Sequence, residues 1–515
     1  MGTSGRTSAS FTYLSCGACS LGAVVALSLS VAGCSDSKKP APSEGSAGTP
    51  GDTVPGGTTP GGTTPGGTTP GGTTPGGTTP GGTVPSPSNP AEGLTPNRPD
   101  PCRGVALPAD QHFVAPGLCA SAVAFDQDGL RQISFTSNGD LIGVRVDGEV
   151  VRFRDSNNDG KFQGSSEIVI LGYTDGNGNN AHVDEQGGYL YAGSPDGVVR
   201  WPYSADTTEF DSSEDVVVNQ PSDGAHPYHT VHVYDGWLYV HSGSAANIIA
   251  PASPNYDTNR ALLKRFQLSK LNPDAPFDWS EGEVVASGLR NMVGYSRGPD
   301  GNLYGVVNGI DALAYQGEDV RDENPGEPLV RLDPGSTFGF PYCFTAQSIN
   351  GAQPGAQLAA DAEGFTNPHD DAWCQQNSKA PLSFLPAHTA PLDITFYTPG
   401  SVRSLPTAWS GGAFVTEHGS GEASPSVGHN VVFFPFGAGQ PSLPRSNANP
   451  PTYPFTVVFG GGNASGHVDG EWGWRSGGNS DENVRPVGVA VSPVDGALYV
   501  SSDRGGVLYR IGVKP

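Results

Sequence analysis

From residue 101 onward the sequence predicts an all-β fold, a six-bladed β-propeller. Three observations predict it. No convincing amphipathic helix interrupts residues 101–515. One unit recurs six times: an apolar strand, a glycine-centred turn, a second strand and a short third strand. Such a unit cannot bury both its faces alone, whereas copies packed radially against one another can. A β-sandwich is the alternative for so many short strands, and repetition of the same strand–turn–strand text favours the propeller.

What precedes the repeats is not part of that fold. Residues 1–33 read as a lipoprotein signal peptide, with Arg6 in a positive leading region and an apolar run over Leu21–Val31. That run is too short to span a bilayer, which takes about 20 apolar residues. It ends in Val31-Ala32-Gly33-Cys34, which resembles a bacterial lipobox whose cysteine is lipidated and becomes the mature N-terminus. Residues 34–100 form a tether in which Gly-Gly-Thr-Thr-Pro repeats five times over 56–80. With almost no apolar side chains, such a segment cannot offset its ordering entropy. A 50-residue glycine-rich coil reaches about 40 Å. The expected location is the bacterial cell envelope, with the membrane touched only through the lipid.

The six units follow in order at 133–153, 182–201, 231–268, 293–333, 393–436 and 487–513. The fourth contains Pro299-Asp300-Gly301 between two alternating apolar–polar runs, the pattern of a half-buried hairpin. The fifth is the loosest copy. Inner-strand ends and the inserts between units converge on one face around the central channel, and the polar clusters fall in those inserts.

The net charge of −24 argues against nucleic acid as a partner. Cys16 and Cys19 leave with the signal, and Cys34 takes lipid. Cys102, Cys119, Cys343 and Cys374 remain, enough for two bridges in an oxidising compartment. The simplest pairing is Cys102–Cys119 and Cys343–Cys374, one of three possible. No CxxC pair survives processing, so zinc and thiol redox chemistry are not expected of these cysteines.

Four polar clusters could carry chemistry. Gly224–Thr230 precedes the third unit and holds His226 and His229; Arg290-Asn291 precedes the fourth. Asn308–Glu327 follows the fourth unit's hairpin, and Glu417–Ser420 joins Arg485-Pro486 and Asp503-Arg504. A guanidinium and an amide just before a strand are placed to hydrogen-bond a ligand at a rim. Apart from these, Asp155, Asn157 and Asp159 followed by Gly160 match the first half of a calcium-binding loop. Its closing glutamate falls one residue late, at Glu167, so an Asx-rich turn is the competing reading.

The run GLRN…GPDGNLY…NGID…FGFPYC, followed by APLDITFY, GGAFVTEHGS and RPVGVAVSPVDGALYVSSDRGG, resembles the sorbosone/soluble glucose dehydrogenase family. The resemblance covers most of residues 120–513, and motif order rather than any single motif carries it. It implies a six-bladed propeller that binds pyrroloquinoline quinone (PQQ) with calcium on the channel face. It further implies His226 as the catalytic base with His229 as competitor, and Arg290 polarising the quinone oxygen beside Asn291. Arg485 would face the cofactor, and backbone carbonyls of Asn308 and Gly309 would bind calcium. The implied reaction is oxidation of a sugar, polyol or aldehyde, with electrons passed to an external acceptor because no haem-binding CxxCH is present. After Ser420 the chain departs from the family: Gly421-Glu422-Ala423 stand where a tryptophan and a basic residue are usual. A non-catalytic binding module is the alternative function, followed by a metal-dependent lactonase-like hydrolase.

Overall fold

The computed structural model describes residue 100 and residues 102–514, except 110, 175, 211–214, 221–223, 249–258, 273, 363, 401, 421, 423–426, 437–440, 445–452 and 462–483. The signal, Cys34 and the tether through residue 99 lie outside the described residues. Within them the chain is a six-bladed β-propeller. Its inner strands are Leu130–Phe135, Ala181–Asp184, His229–Tyr234, Asn291–Arg297, Pro391–Phe396 and Pro486–Val491, for blades 1 to 6 respectively. Each opens a sheet of four or five strands, antiparallel except for the parallel outermost pair in blades 2 and 3. All six expected hairpins are present, each within three residues of its expected start.

Strands that precede the first unit close the ring. Leu118–Ala124 pairs antiparallel with Leu508–Val513 as an outer strand of blade 6, and His112–Val114 adds to blade 5 beside Thr456–Gly461. Both would-be edges are thereby paired, and the first blade is tied to the last.

Apolar residues alternate between facing the two neighbouring blades. Val231 and Val233 of blade 3 pack with Tyr191, Val198 and Val218 of blade 2, and Ile142 and Val144 of blade 1 pack with Leu190 and Ala192. Near the axis the inner strands approach so closely that two positions admit only glycine. A Cβ on Gly294 would lie 2.5 Å from the Asp393 Cα, and one on Gly488 would lie 2.6 Å from the Ile133 nitrogen.

Hydrogen bonds close the channel at this level. The Gln132 amide donates to the Val293 and Leu392 carbonyls (3.1 and 2.8 Å) and to Asp393 Oδ1 (3.2 Å). Asn179 Nδ2 donates to Gln132 Oε1 and to Thr230 Oγ1, and Thr230 donates to the Val293 carbonyl. The Val489 N–H reaches Asp393 Oδ2 at 2.9 Å. All six blades contribute to this floor.

Cys102–Cys119 and Cys343–Cys374 are the two disulfides, with Cα separations of 5.6 and 5.7 Å. The second lies in the long insert of blade 4. Two short ladders and a helix, Asp371–Asn377, surround a satellite core of Ile310, Leu313, Phe344 and Leu358 there. Asp370 caps the helix by accepting the Trp373 N–H. No helix was expected from the sequence; at seven residues this one is too short to show a periodic apolar face.

Candidate active site on the channel face

In every blade the residues just before the first strand and just after the second meet at the same end, because the two strands run antiparallel. The register puts Asn291 opposite Asn308, His229 opposite Ser242, Pro391 opposite Glu417 and Pro486 opposite Ser502. The polar clusters read from the sequence therefore share one face, above the hydrogen-bonded floor.

Arg290 organises the blade 3/blade 4 side. Its buried guanidinium donates to the Asn247 carbonyl (2.9 Å), Asn247 Oδ1 (2.8 Å) and Asp311 Oδ2 (2.7 Å), and more distantly to the Asn308 carbonyl (3.4 Å). Asn308 is itself fixed, its amide donating to the Asn291 and Pro391 carbonyls. Beneath them, Glu327 accepts the Gly309 N–H at 2.5 Å and the His388 N–H at 3.1 Å, joining the loops of blades 4 and 5. Burial pushes the Glu327 carboxyl up to about 8, opposed by the Gly309 N–H and reinforced by Asp311. Glu327, which closes the acidic stretch 318–327, is thus inside the fold rather than solvated. Ala312, His388 and Ala390, with φ of +51°, +64° and +49°, hold the left-handed conformation around this cluster. Such backbone strain concentrates at functional sites.

His226 lies beside the same group. Its Nδ1 is 2.9 Å from both the carbonyl and the hydroxyl of Ser244, whose own N–H donates to the Arg290 carbonyl. Gly243 makes room, since a Cβ there would stand 2.7 Å from the His226 Cβ and 3.4 Å from Asn291 Oδ1. Burial, and then the Arg290 charge, lower the His226 imidazole to about 3, so it is neutral near pH 7. His229, three residues on, opens the inner strand and is buried within it. Its Nδ1 and Nε2 face the carbonyls of His241 and Gln220, which leaves neither nitrogen turned to the channel face.

His418 organises the blade 5/blade 6 side. Its Nε2 donates to both Asp503 oxygens at 3.0 Å, and its Nδ1 accepts from Arg485. Arg485 also donates to the Gly419 carbonyl. Burial opposes ionisation of Asp503, but His418, Arg131 and Arg485 outweigh it and hold the carboxyl well below its usual range. Arg131 links the two sides: it pairs with Asp503 at 3.0 Å and lies over the Tyr228 ring, 5.3 Å from its centroid. The sequence reading missed Arg131. A signal was present, because Gly129-Leu130-Arg131-Gln132 repeats the text of Gly288-Leu289-Arg290-Asn291 at the start of another inner strand.

The Asp155–Gly160 loop stands apart from these clusters. Asp155 accepts the N–H groups of Asp159 and Gly160, and Asn157 accepts that of Asp159, the bonding of an Asx-rich turn. Glu167 turns back to the Ser156 and Gln163 N–H groups. Among the described residues no three His, Cys, Asp or Glu side chains gather closely enough to hold a metal. Of the stretch that departs from the resembled family, Gly421 and Ala423 lie outside the described residues, and the Glu422 N–H meets Ser420 Oγ at 3.4 Å.

A family model described as TrAA12-like matches residues 112–514. The chain belongs to the TrAA12-like family. Among its relatives, the pyrroloquinoline quinone-dependent pyranose dehydrogenase of Coprinopsis cinerea is 28% identical over 435 residues, 80% of this chain and 56% of that protein. The chain thus spans little more than half of that relative's length. The pyrroloquinoline quinone-dependent sugar dehydrogenase of Hypocrea jecorina is 28% identical over 339 residues, 62% of this chain and 74% of that protein. Among solved structures, the calcium structure of the Trichoderma reesei carbohydrate-active enzyme of family AA12 superposes with a TM-score of 0.66 at 25% identity, covering 80% of this chain and 99% of that one. The holo form of the PQQ domain of the Coprinopsis cinerea pyranose dehydrogenase gives 0.65 at 25% identity, over 80% of this chain and 99% of that one. This TrAA12-like chain therefore shares its fold with proteins named for PQQ or calcium.

Proposed function

We propose that this TrAA12-like protein is a PQQ-dependent dehydrogenase that oxidises a sugar or related polyol and passes electrons to an external acceptor. One observation carries the proposal: His226 is neutral, its Nδ1 is committed to Ser244, and it stands beside Arg290 on the channel face. With Nδ1–H donated to the Ser244 carbonyl, Nε2 keeps its lone pair for a substrate hydroxyl. His229 has no lone pair to offer on this face.

The face also suits the cofactor's charge. PQQ is a tricarboxylate, and Arg131, Arg290 and Arg485 outnumber the two carboxylates paired with them, Asp311 and Asp503. Among the described residues Arg131 Nε is buried without a hydrogen-bond partner, a donor in reserve for an anion. Carbonyls of Asn308 and Gly309 with the half-exposed Asp311 carboxylate are hard oxygen donors of the type calcium takes. Bound there, PQQ with calcium supplies a polarised quinone carbonyl that accepts hydride. Arg290 holds positive charge where negative charge develops, Asn291 and Asn308 orient the ligand, and His226 takes the hydroxyl proton on Nε2.

The hydrolase reading needs carboxylates converging on a channel metal, and no such group exists among the described residues. A binding module would need neither a neutral imidazole nor an adjacent buried guanidinium. The test is reconstitution of purified protein with calcium and PQQ, followed by dye reduction with a panel of aldoses. His226→Ala should lower turnover about a hundred- to ten-thousand-fold while PQQ stays bound. Loss of activity in His229→Ala but not in His226→Ala would move the base by three residues.

The proposal extends to the N-terminus, where Cys34 carries lipid and residues 35–100 act as the spacer. Cys34→Ala should shift the protein from the membrane to the soluble fraction; unchanged partitioning overturns the anchor.

A further inference from the structure

A second polar site lies beyond the floor, toward the opposite mouth of the channel. His182 comes from the inner strand of blade 2 and His232 from that of blade 3. Their Nδ1 atoms are 3.3 Å apart, with ring planes at 69°. His232 is two residues past Thr230, which places it about 7 Å deeper than the floor. Tyr234 stacks on His232 at 5.6 Å with planes 6° apart and meets His182 edge-on, and Tyr295 meets His232 edge-on at 4.7 Å. The aromatic packing fixes both imidazoles, and both remain half-buried rather than sealed.

We propose that His182 and His232 form a divalent-metal site, selective for zinc-like ions, that pins blades 2 and 3 together at this mouth. The separation supports it. Two imidazole nitrogens at about 2.0–2.1 Å from one zinc ion in tetrahedral geometry stand about 3.3–3.4 Å apart. A hydrogen bond from one neutral ring's Nδ1–H to the other's Nδ1 fits the same 3.3 Å, and zinc would replace that proton. Burial disfavours a further proton on either ring, lowering His182 to about 4 and His232 well below the usual imidazole range, so the pair is neutral overall. Asp184, on the same strand face as His182, and Glu185 place negative charge near the pair.

No third His, Cys, Asp or Glu joins them among the described residues, so solvent completes the coordination and the site is open. It is chemically distinct from the channel face, where the donors are oxygens suited to calcium. The two histidines take no part in the proposed reaction.

The probe is zinc chloride, titrated into untagged, calcium-loaded protein by calorimetry. One zinc ion per chain is expected. Affinity should fall at least tenfold in both His182→Asn and His232→Gln and stay unchanged in His226→Ala. X-ray absorption of the zinc-loaded wild type adds a readout independent of any variant's folding: two imidazole ligands are expected. Absence of stoichiometric zinc binding, binding unchanged in both variants, or a spectrum with fewer than two imidazoles overturns the site.

Discussion

His226 and His229 are three residues apart, and the onset of one strand separates their chemistry. His229 is the first residue of the blade 3 inner strand, so its ring is drawn into the sheet and both nitrogens meet carbonyls. His226 stays in the loop, where Ser244 fixes its tautomer. Sequence alone could not separate them, because strand onset is not readable to three residues in a segment as mixed as Gly-Ala-His-Pro-Tyr-His-Thr. The Arg290 charge beside His226 makes a pH prediction. With cofactor bound, the acid limb of kcat/KM should lie below the ordinary imidazole range, since burial and Arg290 both disfavour the protonated ring. Arg290→Gln removes one of those causes and should move the limb upward as well as lowering kcat. An acid limb unmoved by this substitution would show that His226 does not feel Arg290.

Among the strands, the six inner hairpins were legible because each combines alternation with a glycine turn. The outer strands were not: Asp215–Asn219 and Glu283–Ser287 are short, half-exposed, and carry no turn signal of their own. Blade 5, the loosest copy in the sequence, hides a fully buried carboxyl at the end of its second strand. Glu417 accepts from Asn430 Nδ2 at 3.2 Å, while Glu417 Oε1 and Asn430 Oδ1 lack partners among the described residues. Burial raises Glu417 from 4.5 to about 8. The folded state therefore keeps this proton up to about pH 8, whereas the unfolded chain loses it near pH 4.5. Its contribution to stability is full below 4.5 and is lost as pH rises through 8. Glu417→Gln should flatten that decline, read from urea midpoints between pH 5 and 8; equal slopes in variant and wild type would contradict the assignment. Gly488→Ala on the blade 6 inner strand should destabilise by about 1–3 kcal/mol, because the added Cβ meets the blade 1 backbone. Denaturant unfolding measures it, and a neutral result would mean the inner strands can separate at the axis.

For the whole molecule, the sequence shows how many blades there are but not how the ring shuts. Leu118–Ala124 lies about 390 residues before its partner, and nothing local to it names that partner. The floor is equally nonlocal, since Gln132 bonds to residues 161, 260 and 261 positions away. Gln132→Ala should cost about 1–3 kcal/mol, because it strands the buried Leu392 carbonyl, whereas the Val293 carbonyl keeps Thr230. Loss of the floor should also open the channel between its two mouths. The face above it brings together His226, Arg290, Asn291, Asn308 and Arg485 from four separate stretches of chain, which a shared blade register explains. The central claim is that this face holds a quinone with its base and its guanidinium in place. Its most direct test is calorimetric titration of PQQ into the calcium-loaded protein, comparing wild type with Arg290→Ala and His226→Ala. The account predicts one PQQ per chain, binding weakened at least tenfold by Arg290→Ala and retained in His226→Ala; no PQQ binding by the wild type would contradict it.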